Sequence, residues 1–388
     1  MSTLKVTNLR HSSASSDAIT LASDGTATAK TTNRQGRNLI INGACLIAQR
    51  ATSSTSHGYS TVDRLKPYET GTDCGTKTWS QSDVAAGNDC YNAGFRKAFK
   101  VTTSQAGNTS TASDMFKHWA TRIEAQDIAG SGWKYTDPNS KLALSFWIKA
   151  STADNFQVQL QTSDGTNKKY NFVAPATTSW TKITKIIPGH ADLQFDNDTG
   201  EGLEISLMIA AGADFAGSVT QETWVANTVA FLNSSQINTW IAAGAGNVET
   251  TGWQLEVGDV VTDYEHRTYH DELLRCKRYY QLLATGTSQV VAMGYIEQGA
   301  GDVNAARQLV PAMRATPSID DQTSGSTRYR VNSGGDSNTG NAMGINSSYS
   351  SENLVWLQLG GLSGVTAGQG AQIRKQTSSA RLGVAAEL

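Results

Sequence analysis

The feature that most constrains the fold is a side-chain alternation of period two that recurs along the chain with no helical period between its repeats. In FQVQLQTSDGTNKKYNF, Phe156, Val158 and Leu160 fall on one face and Gln157, Gln159 and Gln161 on the other, as in a half-buried strand. Ser163, Asp164, Gly165 and Thr166 read as the following hairpin turn. The pattern returns at Leu142, Leu144, Phe146 and Ile148, at Leu203, Ile205, Leu207 and Ile209, and at Trp253, Leu255 and Val257. Each such strand needs an apolar partner surface, so two antiparallel sheets must pack face to face, and an all-β jelly-roll sandwich is expected. Ser and Thr supply 82 of the 388 residues and charged residues only 17%, against about 25% charged in an average globular chain. That balance favours strands and polar loops over charged surface helices.

Four parts follow from this texture. Residues 1–37 are small and polar, with LKVTNLR and AITLAS as their apolar patches, and cannot build a core of their own. They are expected to become ordered by docking on a partner. Residues 38–266, from NLIINGACLIAQR onward, read as short strands divided by turns and form the sandwich. Residues 267–285 read as a short connecting helix, because Tyr269, Leu273, Cys276, Tyr280 and Leu283 recur at spacings of 4, 3, 4 and 3. Thr268 with Asp271 resembles a capping box and Gly286 lies just beyond the expected end. The stripe fits a helix lying on the sandwich or one meeting symmetry copies on a three-fold axis. Residues 286–388 return to strands and polar loops. In LVWLQL, Val355, Leu357 and Leu359 lie on one face and Leu354 and Trp356 on the other, so both need cover; another protomer is expected to supply part of it, making this an oligomeric β-domain.

Several function classes are disfavoured. A net charge of −2 gives no electrostatic pull toward nucleic acid or anionic lipid. No long apolar run or apolar leader core is present, so neither membrane insertion nor signal-dependent secretion is expected, and the chain is expected to leave its ribosome in the cytoplasm. Cys45, Cys74, Cys90 and Cys276 are sparse and form no CxxC pair, which favours buried thiols; a Cys74–Cys90 bridge stays open. His266 and His270 have the i, i+4 spacing without HExxH. Asp196, Asp198 and Glu201 offer hard oxygen ligands for a structural calcium ion, but Leu207 stands where an EF-hand would need its last Glu, and an Asx-rich turn explains them as well. No cofactor is expected beyond that calcium, and no catalytic motif is present. Flat rings suited to a pyranose occur at Trp133 and Tyr135, in a loop-like stretch, and at Trp147, opposite in parity to Phe146. The polar loop Ser333–Ser351 is a further contact candidate.

A set of segments carries a resemblance: LKVTNL with SDGTAT, NLIINGACLIAQRATS, YSTVDR, SFWIKAS, ITKIIPG, WQLEVGDVVTDYEHR, LLRCKRYYQ, PAMRATPSI and LGVAAEL. Together they resemble tailed-bacteriophage tail-fibre and related virion proteins with a carbohydrate-binding-like jelly roll; Ala51 and Leu65 depart from the usual pattern. The resemblance implies a homotrimeric virion protein, fixed to other virion proteins through its N-terminal segment, with distal β-domains facing a host surface glycan. The alternatives are a capsid-decorating or neck-attached structural protein without receptor binding, and, less favoured, a glycan depolymerase.

Overall fold

The computed structural model describes residues 5–13, 17–29, 35–70, 77–103, 116–228, 230, 246–298, 301–321, 328–340, 343–376 and 381–388. Near the N-terminus β1 (Asn8–Leu9), β2 (Ile19–Leu21) and β3 (Ala27–Ala29) pair as a small antiparallel sheet; its Leu9 and Leu21, and Val6 just before it, are exposed. The sandwich follows, with β4 (Ser53–Ser54), β5 (Lys66–Thr70), β6 (Lys77–Asp83), α1 (Asp89–Asn92), β7 (Lys97–Thr103), β8 (Phe116–Glu124), α2 (Ala125–Ala129), β9 (Lys141–Ala150), β10 (Asp154–Thr162), β11 (Lys168–Ala176), β12 (Thr181–Pro188), β13 (Glu201–Ala211), β14 (Trp224–Ala226) and β15 (Gly246–Val257). Its two six-stranded sheets run β14-β11-β10-β13-β8-β5 and β12-β9-β15-β7-β6-β4.

The alternating residues meet between these sheets. Leu142, Leu144, Phe146 and Ile148 of β9 face Phe156, Val158 and Leu160 of β10 and Leu203, Ile205 and Leu207 of β13 in one buried cluster. Phe146 stacks on Trp253 with ring centroids 3.8 Å apart. Burying each such side chain stabilises the fold by about 1.5–3 kcal/mol. Val257 keeps the parity of Leu255, standing opposite Leu142, but it is the last residue of β15 and is exposed.

Beyond the sandwich lie α3 (Tyr269–Lys277), β16 (Tyr280–Ala284), β17 (Val290–Ile296), β18 (Val303–Gln308), β19 (Ser318–Asp321), β20 (Tyr329–Ser333), β21 (Asp336–Gly340), β22 (Met343–Ile345), β23 (Leu354–Leu359), β24 (Gly370–Lys375) and β25 (Leu382–Ala385). They form a three-stranded sheet, β16-β25-β19, and a seven-stranded sheet, β21-β20-β24-β17-β18-β23-β22, around a second core. The protein is thus all-β, a jelly-roll sandwich and a C-terminal β-domain joined by one short helix.

The helix is shorter than its stripe. It stops at Lys277, and Tyr280 and Leu283 belong to β16. The 4, 3, 4, 3 spacing runs through a helix-to-strand transition, and within the helix the buried positions are Glu272 and Cys276, while Tyr269 is 61% exposed. Thr268 does cap it, accepting from the Asp271 amide at 3.2 Å, but Gly286 lies beyond the following strand and plays no capping part. Two further expectations change. NLIINGACLIAQR forms turns, with no strand in it. SGGDSNTG is a hairpin in place of a long loop, because Gly334 and Gly335 take left-handed φ of 56° and 98° between β20 and β21, as a two-residue turn requires.

These turns build a polar junction between sandwich, helix and C-terminal domain. Glu265 accepts from the amides of Gly36 and Asn38, and Arg267 donates to the Asn38 carbonyl at 2.5 Å. Glu272 accepts from the Asn42 amide at 2.5 Å. Arg64 lies 3.5 Å over the Tyr279 ring and pairs with Glu387, which also takes Arg50 at 2.9 Å; Arg50 lies 3.7 Å over Tyr280. Glu124, fully buried, accepts from Arg278 Nε and Nη2 at 2.7 Å and from the Tyr279 hydroxyl at 2.6 Å. Arg314 donates to the carbonyls of Thr199, Ala386 and Glu387. NLIINGACLIAQR, YSTVDR, DYEHR, LLRCKRYYQ, PAMRATPSI and LGVAAEL, which carry much of the resemblance, all meet here.

Candidate functional site

Of the three candidate rings, the structure sets one apart. Trp133 is buried in the sandwich core with its Nε1 donating to the Ser140 carbonyl at 3.1 Å. Tyr135 packs beside it, edge-on to Phe195 at 5.1 Å. Trp133 presents no free face, and Tyr135 is half-buried. Trp147 projects from the outer face of β9, as parity dictates, and Lys182 of β12 stands directly opposite in the ladder.

Trp147 lines a pocket of about 330 Å³ with Phe95, Ser145, Lys182, Gly252, Asp263, Tyr264 and His266. Its walls are rings: Phe95 meets Tyr264 edge-on at 4.9 Å and His266 at 5.2 Å, and Tyr264 meets His266 at 4.9 Å. Two glycines permit this closeness. A Cβ on Gly252, which has φ of 69°, would lie 2.6 Å from Phe95 and 3.1 Å from Trp147, and one on Gly94, with φ of 99°, would lie 2.7 Å from His266. Gly252 sits in the β15 bulge, a device that re-aims side chains next to functional sites. Lys182, Asp263 and His266 are exposed at the mouth, and His266 Nε2 lies 2.9 Å from the Ala93 carbonyl. The volume is at the lower end of the ~300–1,000 Å³ range of small-ligand pockets. Rings below and hydrogen-bonding groups at the rim suit one or two sugar rings.

The other predicted groups do not converge. Asp198 accepts from the Gly200 amide at 2.8 Å, an Asx turn, and Asp196 accepts from Gln194 at 3.0 Å. Glu201 is turned away to Arg122 at 2.8 Å. Among the described residues no group of three His, Cys, Asp or Glu side chains is placed to hold a metal ion. His270 lies exposed on α3, apart from the duties of His266. Cys74 lies outside the described residues, and Cys90 is a buried free thiol, as are Cys45 and Cys276. Burial pushes the Cys45 and Cys90 thiols up to about 12, so both are inert. No helix among the described residues is long and apolar enough to cross a membrane.

A pair of carboxylates does meet on the outer face of the first sheet. Arg122 holds Glu201 at 2.8 Å and Glu204 at 2.7 Å. Burial pushes the Glu201 carboxyl up; for Glu204 burial acts the same way, but His118, Arg122 and Ser206 hold it below the usual range. The rest of that face is polar and covered, since Lys169 donates to Thr228 and Ala230, and Gln157 bonds to Gln221.

Phe95, Lys182, Gly252 and Tyr264 were not singled out in the sequence. Gly252 carried a usable signal, a glycine inside a strand pattern, which marks a bulge or a close approach; the others come together only through the register of β12 and the path of the chain after β15.

No family model and no curated protein matches the chain. Among solved structures it is similar to the enzymatically active domain of bacteriophage CBA120 tailspike protein 4, at 11% identity over 57% of this chain and 21% of that one, with a TM-score of 0.30. It is also similar to the family 11 carbohydrate-binding module of Clostridium thermocellum, at 12% identity over 56% and 98% of the two chains, with a TM-score of 0.27. The N-terminal cellulose-binding domain of a Cellulomonas fimi glucanase gives 10% identity, 55% and 98% coverage and a TM-score of 0.28. Similarity this low says nothing about what this chain binds.

Proposed function

We propose that the chain is a structural component of a bacteriophage virion, a tail fibre that associates as a homotrimer and holds a host-surface glycan without catalysis. The ring-walled pocket at Trp147, set on a rigid sheet, carries the glycan-holding part of this reading. Three such pockets on one spike raise avidity without any new contact. The N-terminal segment with exposed Val6, Leu9 and Leu21 supports attachment to other virion proteins, and particles assembled in the host cytoplasm are its setting. A second reading is favoured by the junction: most segments behind the resemblance are spent on holding two β-units together, as a capsid-decorating or neck-attached protein without receptor binding also requires. A depolymerase is disfavoured because Glu201 and Glu204, neighbouring carboxylates on an outer sheet face, share one guanidinium.

A glycan array of bacterial surface oligosaccharides, probed with the intact protein, tests the reading. Binding that Trp147→Ala removes is expected; an array blank at avidity-permitting density favours the second reading, and release of reducing ends from a bound glycan, lost in Glu201→Gln, favours the depolymerase. Removing residues 1–37 is expected to stop incorporation into particles and leave the sandwich folded.

A further inference from the structure

The Trp147 pocket holds two polar groups that nothing in the protein answers. Ser145, 4% exposed, lines it with a hydroxyl that meets no hydrogen-bond partner among the described residues. A buried hydroxyl without a partner is costly, and a polar group entering the pocket recovers that loss. Lys182, exposed at the mouth and opposite Trp147 in the ladder, is joined to no carboxylate among the described residues, although Asp263 lines the same pocket.

The imbalance of charge continues along the strand. Lys149 stands two residues beyond Trp147 on the same face of β9, about 7 Å further on. It and Lys100 of β7 flank Glu249 in one ladder row and share its carboxylate at 3.1 and 3.9 Å, so two ammonium groups have one counter-charge between them. Lys149 Nζ also lies 5.3 Å from the centre of the Trp180 ring. In a chain whose net charge is −2, this strip is locally positive.

We infer that the ligand of the Trp147 pocket is an acidic glycan, whose pyranose ring lies on Trp147 while its carboxylate or phosphate meets Lys182. A charge-assisted hydrogen bond is about twice as strong as a neutral one, so Lys182 selects the sugar as well as binding it. Asp263 sets the orientation. A ring turned end for end would bring its anion against that carboxylate, whereas hydroxyls can donate to Asp263 and bond to Ser145. A polymer that repeats the charge sets a later anion against Lys149 and Lys100. This rests on the glycan-holding reading of the same pocket and names the class of sugar held.

Biolayer interferometry of the intact protein over immobilised bacterial capsular polysaccharides tests it. Uronic-acid polymers are compared with the same polymers after carbodiimide-mediated reduction of their carboxylates to alcohols, which keeps the rings and removes the charge, and with phosphodiester-linked polymers. Acidic polymers are expected to bind roughly tenfold more tightly than the reduced ones and to weaken as salt rises. Lys182→Gln, at an exposed position, should cost roughly tenfold on acidic polymers and leave the reduced ones unchanged, which erases the preference. Trp147→Ala should weaken both. Lys182-dependent binding of uronates assigns a carboxylate and of phosphodiesters a phosphate, and either upholds the inference. Equal binding of native and reduced polymers that Trp147→Ala removes overturns the acidic class and leaves the pocket reading standing. A preference for acidic polymers that survives Lys182→Gln puts the anion elsewhere and overturns the inference as well. Failure to bind any polymer, charged or neutral, overturns the pocket reading with it.

Discussion

Phe146 lies on Trp253 at 3.8 Å between the sandwich sheets, while Arg64, equally buried, lies 3.5 Å over Tyr279 and pairs with Glu387. Both contacts join distant parts of the chain, but they hold it in different ways. The apolar contact is non-directional, so any well-fitting ring or branched chain serves, and its strength follows the area withdrawn from water. The junction is directional. Arg64, Arg278 and Arg50 are removed from water only because Glu387, Glu124 and two tyrosine rings meet them, and losing one partner strands the other. The comparison teaches that sheet stacking makes each β-unit, whereas a polar clamp fixes how the units sit on each other.

That division can be broken from the largest effect downward. Glu124→Ala deprives Arg278 and Tyr279 of their acceptor and should lower the unfolding free energy by about 3–5 kcal/mol, as should Phe146→Ala by leaving a cavity. Acid separates the two. Burial opposes ionisation of Glu124, but hydrogen bonds from Arg278, Tyr279 and Gln126 hold its carboxyl below the usual range. Its contribution is therefore present above the ordinary Glu pKa and lost as pH falls through the folded value. Urea titrations at neutral and acidic pH should show the Glu124→Ala deficit shrinking and the Phe146→Ala deficit unchanged.

Asp63 works in the opposite sense. Burial pushes its carboxyl up to about 6, above its unfolded value, although Gln49 donates to both oxygens. The folded state then binds the extra proton, so stability falls as pH rises from the ordinary Asp value through about 6. Relative to wild type, Asp63→Asn should gain on the order of 3 kcal/mol between acidic and neutral pH, read from denaturation midpoints. Trp147→Ala, at the pocket and outside both regions, should weaken glycan binding by roughly 30-fold, as loss of an aromatic anchor does, with little change in the melting temperature. Thr268→Ala removes the helix cap and should cost about 1 kcal/mol, measurable by urea denaturation.

The sandwich was legible because its code is local. Phe156, Val158 and Leu160 announce a strand within a few residues, and they sit where the alternation puts them. The junction was not, because its partners lie 323 residues apart for Arg64 and Glu387 and 154 apart for Arg278 and Glu124, and no spacing rule links them. The helical stripe failed for a related reason: periodicity counts Tyr280 and Leu283 without seeing that the chain has already turned into β16. At the candidate site, parity placed Trp147 on an outer face, and loop-like composition marked the stretch of Trp133 and Tyr135 as the turns it is, but composition does not reveal that Trp133 points into the core with Tyr135 packed half-buried beside it. Glu201, grouped by spacing with Asp196 and Asp198, pairs with Arg122 of another strand, a contact that no spacing rule reveals.

Differential scanning calorimetry of the intact protein, with and without Glu387→Gln, tests the clamp most directly. One cooperative transition is predicted for the wild type, with sandwich and C-terminal domain melting together, and two separate transitions for the variant, whose Arg50 and Arg64 have lost their shared carboxylate. A wild type that already melts in two independent steps would contradict it.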